Sequence, residues 1–215
     1  MLVLVTGGAR SGKSSFAESY TAHLGKRGIY IATAQAYDGE MRARIGMHRQ
    51  QRELTSYAWT TIEEPLALAE TLISLGSLLN ENLLNENLAN ENLPSDDSGN
   101  RMGGIEGDPV ILVDCLTLWL SNWLLKVEQE VDAEERLMLK IDELVAACKA
   151  FTRQGRHLLL VTNEVGYGLV PEYKLGRQFR DLSGVMNKQL ANAAEQVFLV
   201  TSGIPVELTR MRYQF

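Results

Sequence analysis

Near the start of the chain, Gly7-Gly8-Ala9-Arg10-Ser11-Gly12-Lys13-Ser14 fits the pattern G-x4-G-K-[ST]. Glycines let backbone N–H groups turn inward around phosphate oxygens, and the positive end of a following helix adds to the attraction. Lys13 is spaced to reach the β- and γ-phosphates of a nucleoside triphosphate, and the Ser14 hydroxyl to ligate Mg²⁺. The motif requires a strand before it and a helix after it. Leu2 to Val5 is a short apolar run and Ser14 to Leu24 is compatible with a helix, so both conditions are met. A merely glycine-rich turn is the competing reading, and this context argues against it.

Further residues extend the chemistry. Asp114 ends the apolar run Val110 to Val113. An acid there is the usual second Mg²⁺ contact beside a P-loop, although alone it would more often be a helix cap. From Glu40 to Arg52 the chain reads as a helix, with Arg44, His48 and Arg52 sharing a face and Arg49 beside them. Guanidinium groups could clamp a phosphate there and keep the imidazole neutral, the form able to attack phosphorus. A lone helical histidine is more often a surface residue, and the spacing alone does not decide between the two. His23 and His157 lack such surroundings and read as structural. Thr162-Asn163-Glu164-Val165-Gly166 follows another apolar run and should border the site, because open α/β sheets bind ligands at the carboxyl ends of their strands. It lacks the Lys and Asp of a GTPase base-recognition loop, which disfavours a regulatory GTPase.

The elements that must hold these residues follow from periodicity. Leu2 to Val5, Ile29 to Thr33, Val110 to Val113, Leu158 to Val161 and Val197 to Val200 are short, apolar and non-alternating, as strands covered on both faces are. Ile204 to Leu208 could add an edge strand. A helix over Asp132 to Arg153 carries the stripe Leu137, Ile141, Leu144, Cys148 and Phe151, with Asp132 and Glu135 as a capping box and Gly155 at its C-cap. Another helix carries Leu175, Phe179, Leu182, Met186 and Leu190. This alternation predicts an α/β fold: a P-loop NTPase-type doubly wound, mainly parallel sheet flanked by helices. Leu116 to Leu125 is apolar almost all round, with Trp119 and Trp123 a turn apart. Core burial is the plain reading and a subunit interface the sharper one.

Charge singles out one stretch. The chain has 27 acidic and 21 basic side chains, a net charge of −6 over 215 residues. From Gly76 to Asp108 lie Glu81, Glu86, Glu91, Asp96, Asp97, Glu106 and Asp108 against Arg101 alone, so this stretch carries the whole imbalance. A neutral body without Lys/Arg runs argues against nucleic-acid binding through a basic field. The stretch contains NENL at 80–83, 85–88 and 90–93. A period of five builds no apolar face on a helix or a strand. It reads as a solvated, mobile, low-complexity insertion at about 76–108, after a helix over about 64–75, in an otherwise single domain at 1–215. Cys115 and Cys148 are far apart, and Cys148 falls on the apolar stripe, so buried reduced thiols are expected rather than a disulfide. The first residues are too short an apolar run for a signal peptide, and no run is long enough to span a membrane, so a cytoplasmic enzyme is expected.

The motifs together go beyond a generic P-loop. VTGGARSGKS at 5–14, YIAT at 30–33, EM-x-x-RI-x-x-H-x-x-x-R from Glu40 to Arg52, TNEVG-x-G-x-VP at 162–171 and FRDLSG-x-x-N at 179–187 occur in order. This closely resembles the bifunctional adenosylcobinamide kinase / adenosylcobinamide-phosphate guanylyltransferase family of cobalamin biosynthesis, over about 1–75 and 109–208. The resemblance implies phosphorylation of adenosylcobinamide by ATP or GTP, then transfer of GMP from GTP to the product. It implies that His48 becomes covalently guanylylated, with Lys13 assisting. It also implies nucleotide contacts at 7–14, at Ala32, Thr33 and Ala34, at Arg49, Gln50, Gln51 and Arg52, and at Glu63 and Asp114, with Mg²⁺ held by Ser14 and Asp114. A homo-oligomer is implied too, a ring-shaped trimer with sites between subunits, which would suit the Trp119/Trp123 helix. Two alternatives stay open: a monofunctional P-loop small-molecule kinase in which His48 is incidental, and a nucleotide-binding regulatory protein that transfers nothing.

Overall fold

A computed structural model describes residues 1–35, 39–91 and 107–213, without the side chains of Glu40, Met41, Arg44, His48, Gln51 and residues 82–91. In chain order the elements are β1 (Leu2–Gly7), α1 (Lys13–Leu24), β2 (Arg27–Ala32), α2 (Gly39–Glu53), β3 (Ala58–Glu63) and α3 (Leu68–Glu91). These are followed by β4 (Val110–Asp114), α4 (Leu116–Val127), α5 (Ala133–Thr152), β5 (Leu158–Val161), α6 (Lys174–Ala193), β6 (Gln196–Thr201) and β7 (Ile204–Glu207). The strands form one sheet in the order β3-β2-β4-β5-β1-β6-β7. All neighbours are parallel except β7, which returns antiparallel along β6. This is the doubly wound, mainly parallel sheet that the alternation predicts.

The central strands β1, β4 and β5 are apolar without alternation because both faces are covered. Leu2, Leu4, Ile111, Val113, Leu158 and Leu160 join a cluster under α3 to α6 on one face. Val3, Val5, Leu112, Leu159 and Val161 meet Ala17 of α1 on the other. The stripe Leu137, Ile141, Leu144, Cys148 and Phe151 is buried as its spacing requires. Asp132 caps α5 without any side-chain hydrogen bond, so the predicted capping box does not form. Gly155 lies three residues past the helix end at φ 82, with its N–H on the Thr152 carbonyl at 3.0 Å, and there it supplies the left-handed turn into β5.

Trp119 and Trp123 are buried by this chain's own atoms, and both indole N–H groups donate to the Leu66 carbonyl at 2.9 Å. They supply core. The helix expected over 64–75 begins instead at Leu68 and runs to Glu91, through the NENL repeats. Leu72 is buried and Leu75 and Leu79 pack on the core, so its first turns have an apolar face. Beyond them, Leu, Asn and Glu contain no helix breaker. The rest of the acidic stretch, residues 92–106, lies outside the described residues. Strand β3 was not predicted. It is an exposed edge with only Trp59 and Ile62 half-buried, which leaves no apolar run to find.

Candidate active site

The parallel register puts the carboxyl ends of five strands side by side. Val5, Val161, Asp114, Ala32 and Glu63 occupy one row across β1, β5, β4, β2 and β3. The three of these predicted to meet nucleotide or metal, Asp114, Ala32 and Glu63, are adjacent in that row. Gly7 ends β1 just beyond it.

Between β1 and α1 the loop takes the shape its residues permit. Arg10 has φ 56 and Gly12 φ 90, both in the left-handed region. The Ser11 N–H reaches the Gly8 carbonyl at 3.3 Å, and Gly203 N–H ties the Ser11 carbonyl at 2.8 Å to the β6–β7 turn. Gly8, Ala9 and Arg10 are exposed, while Lys13 is buried with Nζ on the Gly8 carbonyl at 3.1 Å, bridging the loop. Gly12 N-caps α1 without a side-chain bond, so the first amides of α1 open onto the loop.

A pocket of about 120 Å³ gathers Lys13, Ser14, Ala32, Ala34, Arg52 and Asp114, with Tyr30, Ile45, Cys115, Leu118 and Asn163. Six predicted site residues thus share one cavity. Thr33 is buried just behind it. Its hydroxyl donates to the Cys115 carbonyl at 2.7 Å and accepts the Cys115 N–H at 2.9 Å, so it fixes β2 to β4 rather than facing the cavity. Glu63 lies apart on the β3 edge, ion-paired with Arg49. Arg49 and Arg52 border one groove with Thr55, Tyr57 and Trp59, but their guanidinium groups take different partners. Arg52 instead stacks its guanidinium carbon 3.6 Å from the Tyr30 ring centre, with Nη1 3.7 Å from Glu18 Oε1. Gln50 is exposed; the side chains of His48 and Gln51 fall outside the described atoms, and His48 is located only as a residue of α2.

Tyr30 is a site residue that periodicity could not flag, because it reads as one more apolar position of a buried strand. Its hydroxyl donates to Asp114 Oδ2 at 3.0 Å. Burial, then the Asp114 charge, pushes the phenol well above its ordinary value, so it stays a donor. Burial also raises Glu18, against the pull of Arg52. The motif loop after β5 is held by a polar network. Asn163 Nδ2 donates to Thr117 Oγ1 at 3.0 Å, Thr162 Oγ1 to Asn187 Oδ1 at 2.7 Å, and Asn187 Nδ2 to the Asn163 carbonyl at 3.1 Å. Asn187, the last residue of the α6 motif, thereby holds that loop at the cavity.

For a magnesium ion, the fitting donors are the Asp114 carboxylate and the Ser14 hydroxyl, hard oxygens lining the same cavity as Lys13. No cluster of three or more His, Cys, Asp or Glu able to hold a metal occurs among the described residues. Among the described residues no helix is long and apolar enough to cross a membrane.

A parallel sheet with a phosphate-cradling loop, a buried lysine and a strand-end acid defines a P-loop nucleotide-binding α/β protein. Comparison with known sequences narrows this. The family model for cobinamide kinase / cobinamide phosphate guanyltransferase matches residues 3–90 and 98–208, and the chain belongs to that family. The match leaves out far less of the acidic stretch than the motifs alone indicate, in keeping with a helix that runs through the repeats. The chain is 37% identical to the bifunctional adenosylcobalamin biosynthesis protein CobU of Escherichia coli, over 97% of this chain and 99% of that one. It is 39% identical to the corresponding protein CobP of Pseudomonas aeruginosa over 95% of each, and 37% identical to CobU of Salmonella typhimurium over 97% and 99%. Among solved structures, an ATPase domain aligns over 92% of this chain and 68% of its own, with a TM-score of 0.44 at 10% identity.

Proposed function

We propose that the chain carries out two successive transfers. The first moves the γ-phosphoryl group of ATP or GTP to the aminopropanol hydroxyl of adenosylcobinamide. The second joins GMP from GTP to that phosphate, giving adenosylcobinamide-GDP and pyrophosphate. The observation that carries the reading is family membership over nearly the whole chain, together with a cavity that holds Lys13, Ser14 and Asp114. In the second reaction a neutral His48 nitrogen attacks the α-phosphorus of GTP, and the bond to pyrophosphate breaks. A phosphate oxygen of adenosylcobinamide phosphate then attacks the same phosphorus and the bond to His48 breaks. Lys13 and the loop amides at 7–14 stabilise the developing phosphate charge. Ala32 and Ala34, residues 49–52 and Glu63 border the nucleotide, with Thr33 just behind them. Magnesium held by Ser14 and Asp114 would neutralise phosphate charge. The resemblance extends the proposal to a ring-shaped homotrimer, which light scattering on purified protein tests.

GTP labelled at the α-phosphate gives the decisive experiment, followed by denaturing electrophoresis. Acid-labile label that survives denaturation and disappears in His48→Ala supports the reading. An unlabelled wild type that still phosphorylates adenosylcobinamide leaves only the kinase. Nucleotide binding with no transfer at all leaves a regulatory protein.

A further inference from the structure

Helix α2 is polar on nearly every side. Among its described side chains only Arg52 is buried and only Ile45 half-buried, while Arg42, Met47, Arg49, Gln50 and Glu53 are exposed. A helix without an apolar stripe has little to hold it on a protein surface. Arg52 is the exception, and its surroundings are built. The guanidinium carbon sits over the centre of the Tyr30 ring and the group faces Glu18 of α1, so one side chain joins α2 to both β2 and the helix that follows the P-loop. The Arg52 carbonyl is itself capped by Thr55, through its N–H at 3.1 Å and its hydroxyl at 2.6 Å, which fixes the backbone where the helix ends. Tyr30 in turn donates to Asp114.

We infer that Arg52 is a positioning residue for guanylyl transfer: by stacking on Tyr30 and pairing with Glu18 it holds α2, and with it His48 one turn earlier, at the wall of the P-loop cavity. The inference rests on His48 being the nucleophile. It differs from a phosphate-contact role in what it requires of the side chain. A contact needs only a positive charge within reach, whereas a pin needs the planar stack and the partner carboxylate. Misplacing a nucleophile by about 1 Å costs on the order of a hundredfold in rate.

The test uses the full chain as wild type, Arg52→Ala, Arg52→Lys and the double variant Arg52→Ala with Glu18→Gln. Each is measured for labelling rate and half-saturating concentration of α-labelled GTP, for melting temperature, and for hydrogen exchange across α2. Arg52→Ala should slow labelling at saturating GTP by about a hundredfold with half-saturation little changed, the pattern of lost positioning rather than lost binding. Arg52→Lys should fall between, since it keeps the charge but not the planar stack. Glu18→Gln removes the stranded carboxylate, so the double variant should regain melting temperature without regaining labelling. Its α2 amides should still exchange faster than wild type. Labelling that recovers together with melting temperature would show a merely structural role. A rise in half-saturation that accounts for the rate loss, with α2 exchange unchanged, would make Arg52 a nucleotide contact. If the wild type takes no label, the nucleophile assignment fails, and unchanged α2 exchange in Arg52→Ala would still sink the pin separately.

Discussion

The Arg156 Nε donates to Asp108 Oδ2 at 2.7 Å from a side chain that is 1% exposed. The same guanidinium donates to the Gly76 carbonyl at 3.0 Å and to Asn80 Oδ1 at 2.8 Å. The stretch that carries the chain's net charge begins at Gly76 and ends at Asp108, so one buried cation ties both of its ends. Arg156 precedes β5 and Asp108 precedes β4, which places the tie at the amino edge of the sheet. The P-loop, Asp114 and Asn163 lie at the opposite, carboxyl edge.

Removing this cation leaves Asp108 and two helix acceptors without their partner. Breaking a buried ion pair from one side costs about 3–5 kcal/mol. Arg156→Ala should lower stability by about that much in urea unfolding, and Arg156→Lys by less, because the ammonium keeps a charge beside Asp108 although it cannot reach acceptors on three sides as a planar fork does. Since the tie is at the far edge, folded Arg156→Lys should label His48 from GTP at the wild-type rate. A large labelling defect in a variant that unfolds normally would contradict the separation of the two edges.

The tie also sets where the acidic stretch can be cut, if it is an appendage to a single domain. Leu79 packs on the core and Asn80 holds Arg156. A deletion of 77–107 therefore removes structure, while a deletion of 84–105 closed by a short Gly/Ser linker keeps both contacts. The shorter deletion should match wild type in melting temperature and GTP labelling, and the longer one should melt earlier. Loss of labelling in the shorter deletion, with folding intact, would assign the stretch a role in the reaction.

What could be read from the sequence divides by mechanism. Lys13, Ser14 and Asp114 were legible because loop chemistry and an apolar strand run fix their positions before any tertiary contact is known. The buried strands were legible for the same reason, whereas β3 was not, since an edge strand with one wet face shows no such run. The course of α3 past residue 75 escaped because the five-residue repeat has no apolar face, and a helix there is set by backbone propensity continuing from a packed segment. Tyr30, Glu18 and Arg156 were invisible for a different reason. Their roles come from long-range neighbours: Arg156 meets Asp108, Gly76 and Asn80 only once α3, β4 and β5 are side by side. Arg52 could be placed on its helix by periodicity, but its stack on Tyr30 and its pairing with a carboxylate of α1 are long-range contacts that periodicity does not reveal.

The first glycine of the P-loop is required by its neighbour strand as well as by phosphate. Gly7 pairs in register with Val200 of β6, and a Cβ added to it would lie 2.4 Å from the Val200 carbonyl oxygen. Backbone cannot yield cheaply, so Gly7→Ala must displace the loop. It should destabilise the protein by about 1–3 kcal/mol and weaken binding of a fluorescent GTP analogue. Gly8→Ala meets nothing within 4 Å and should leave unfolding by urea unchanged. Equal destabilisation by the two substitutions would show that the contact with β6 does not constrain the loop.

Both cysteines should be inert in the folded protein and should limit its tolerance of alkali. Burial, and next the Asp114 charge, pushes the Cys115 thiol up to about 11, and burial pushes Cys148 up to about 12. A raised thiol pKa means the fold favours the protonated form. The resulting stability is complete below the unfolded thiol value of about 8.5 and is lost as pH rises through it towards the folded values. At pH 8 an aromatic disulfide reagent should therefore react with neither cysteine in the native protein and with both in urea. Between about pH 9 and pH 11 the urea midpoint should fall, and Cys148→Ala should flatten that fall even though it lowers stability at pH 8 by leaving a small cavity. An unaltered slope in Cys148→Ala would mean that its thiol does not titrate on unfolding in that range, and rapid native labelling at pH 8 would show that the wall of the nucleotide cavity at Cys115 opens to solvent.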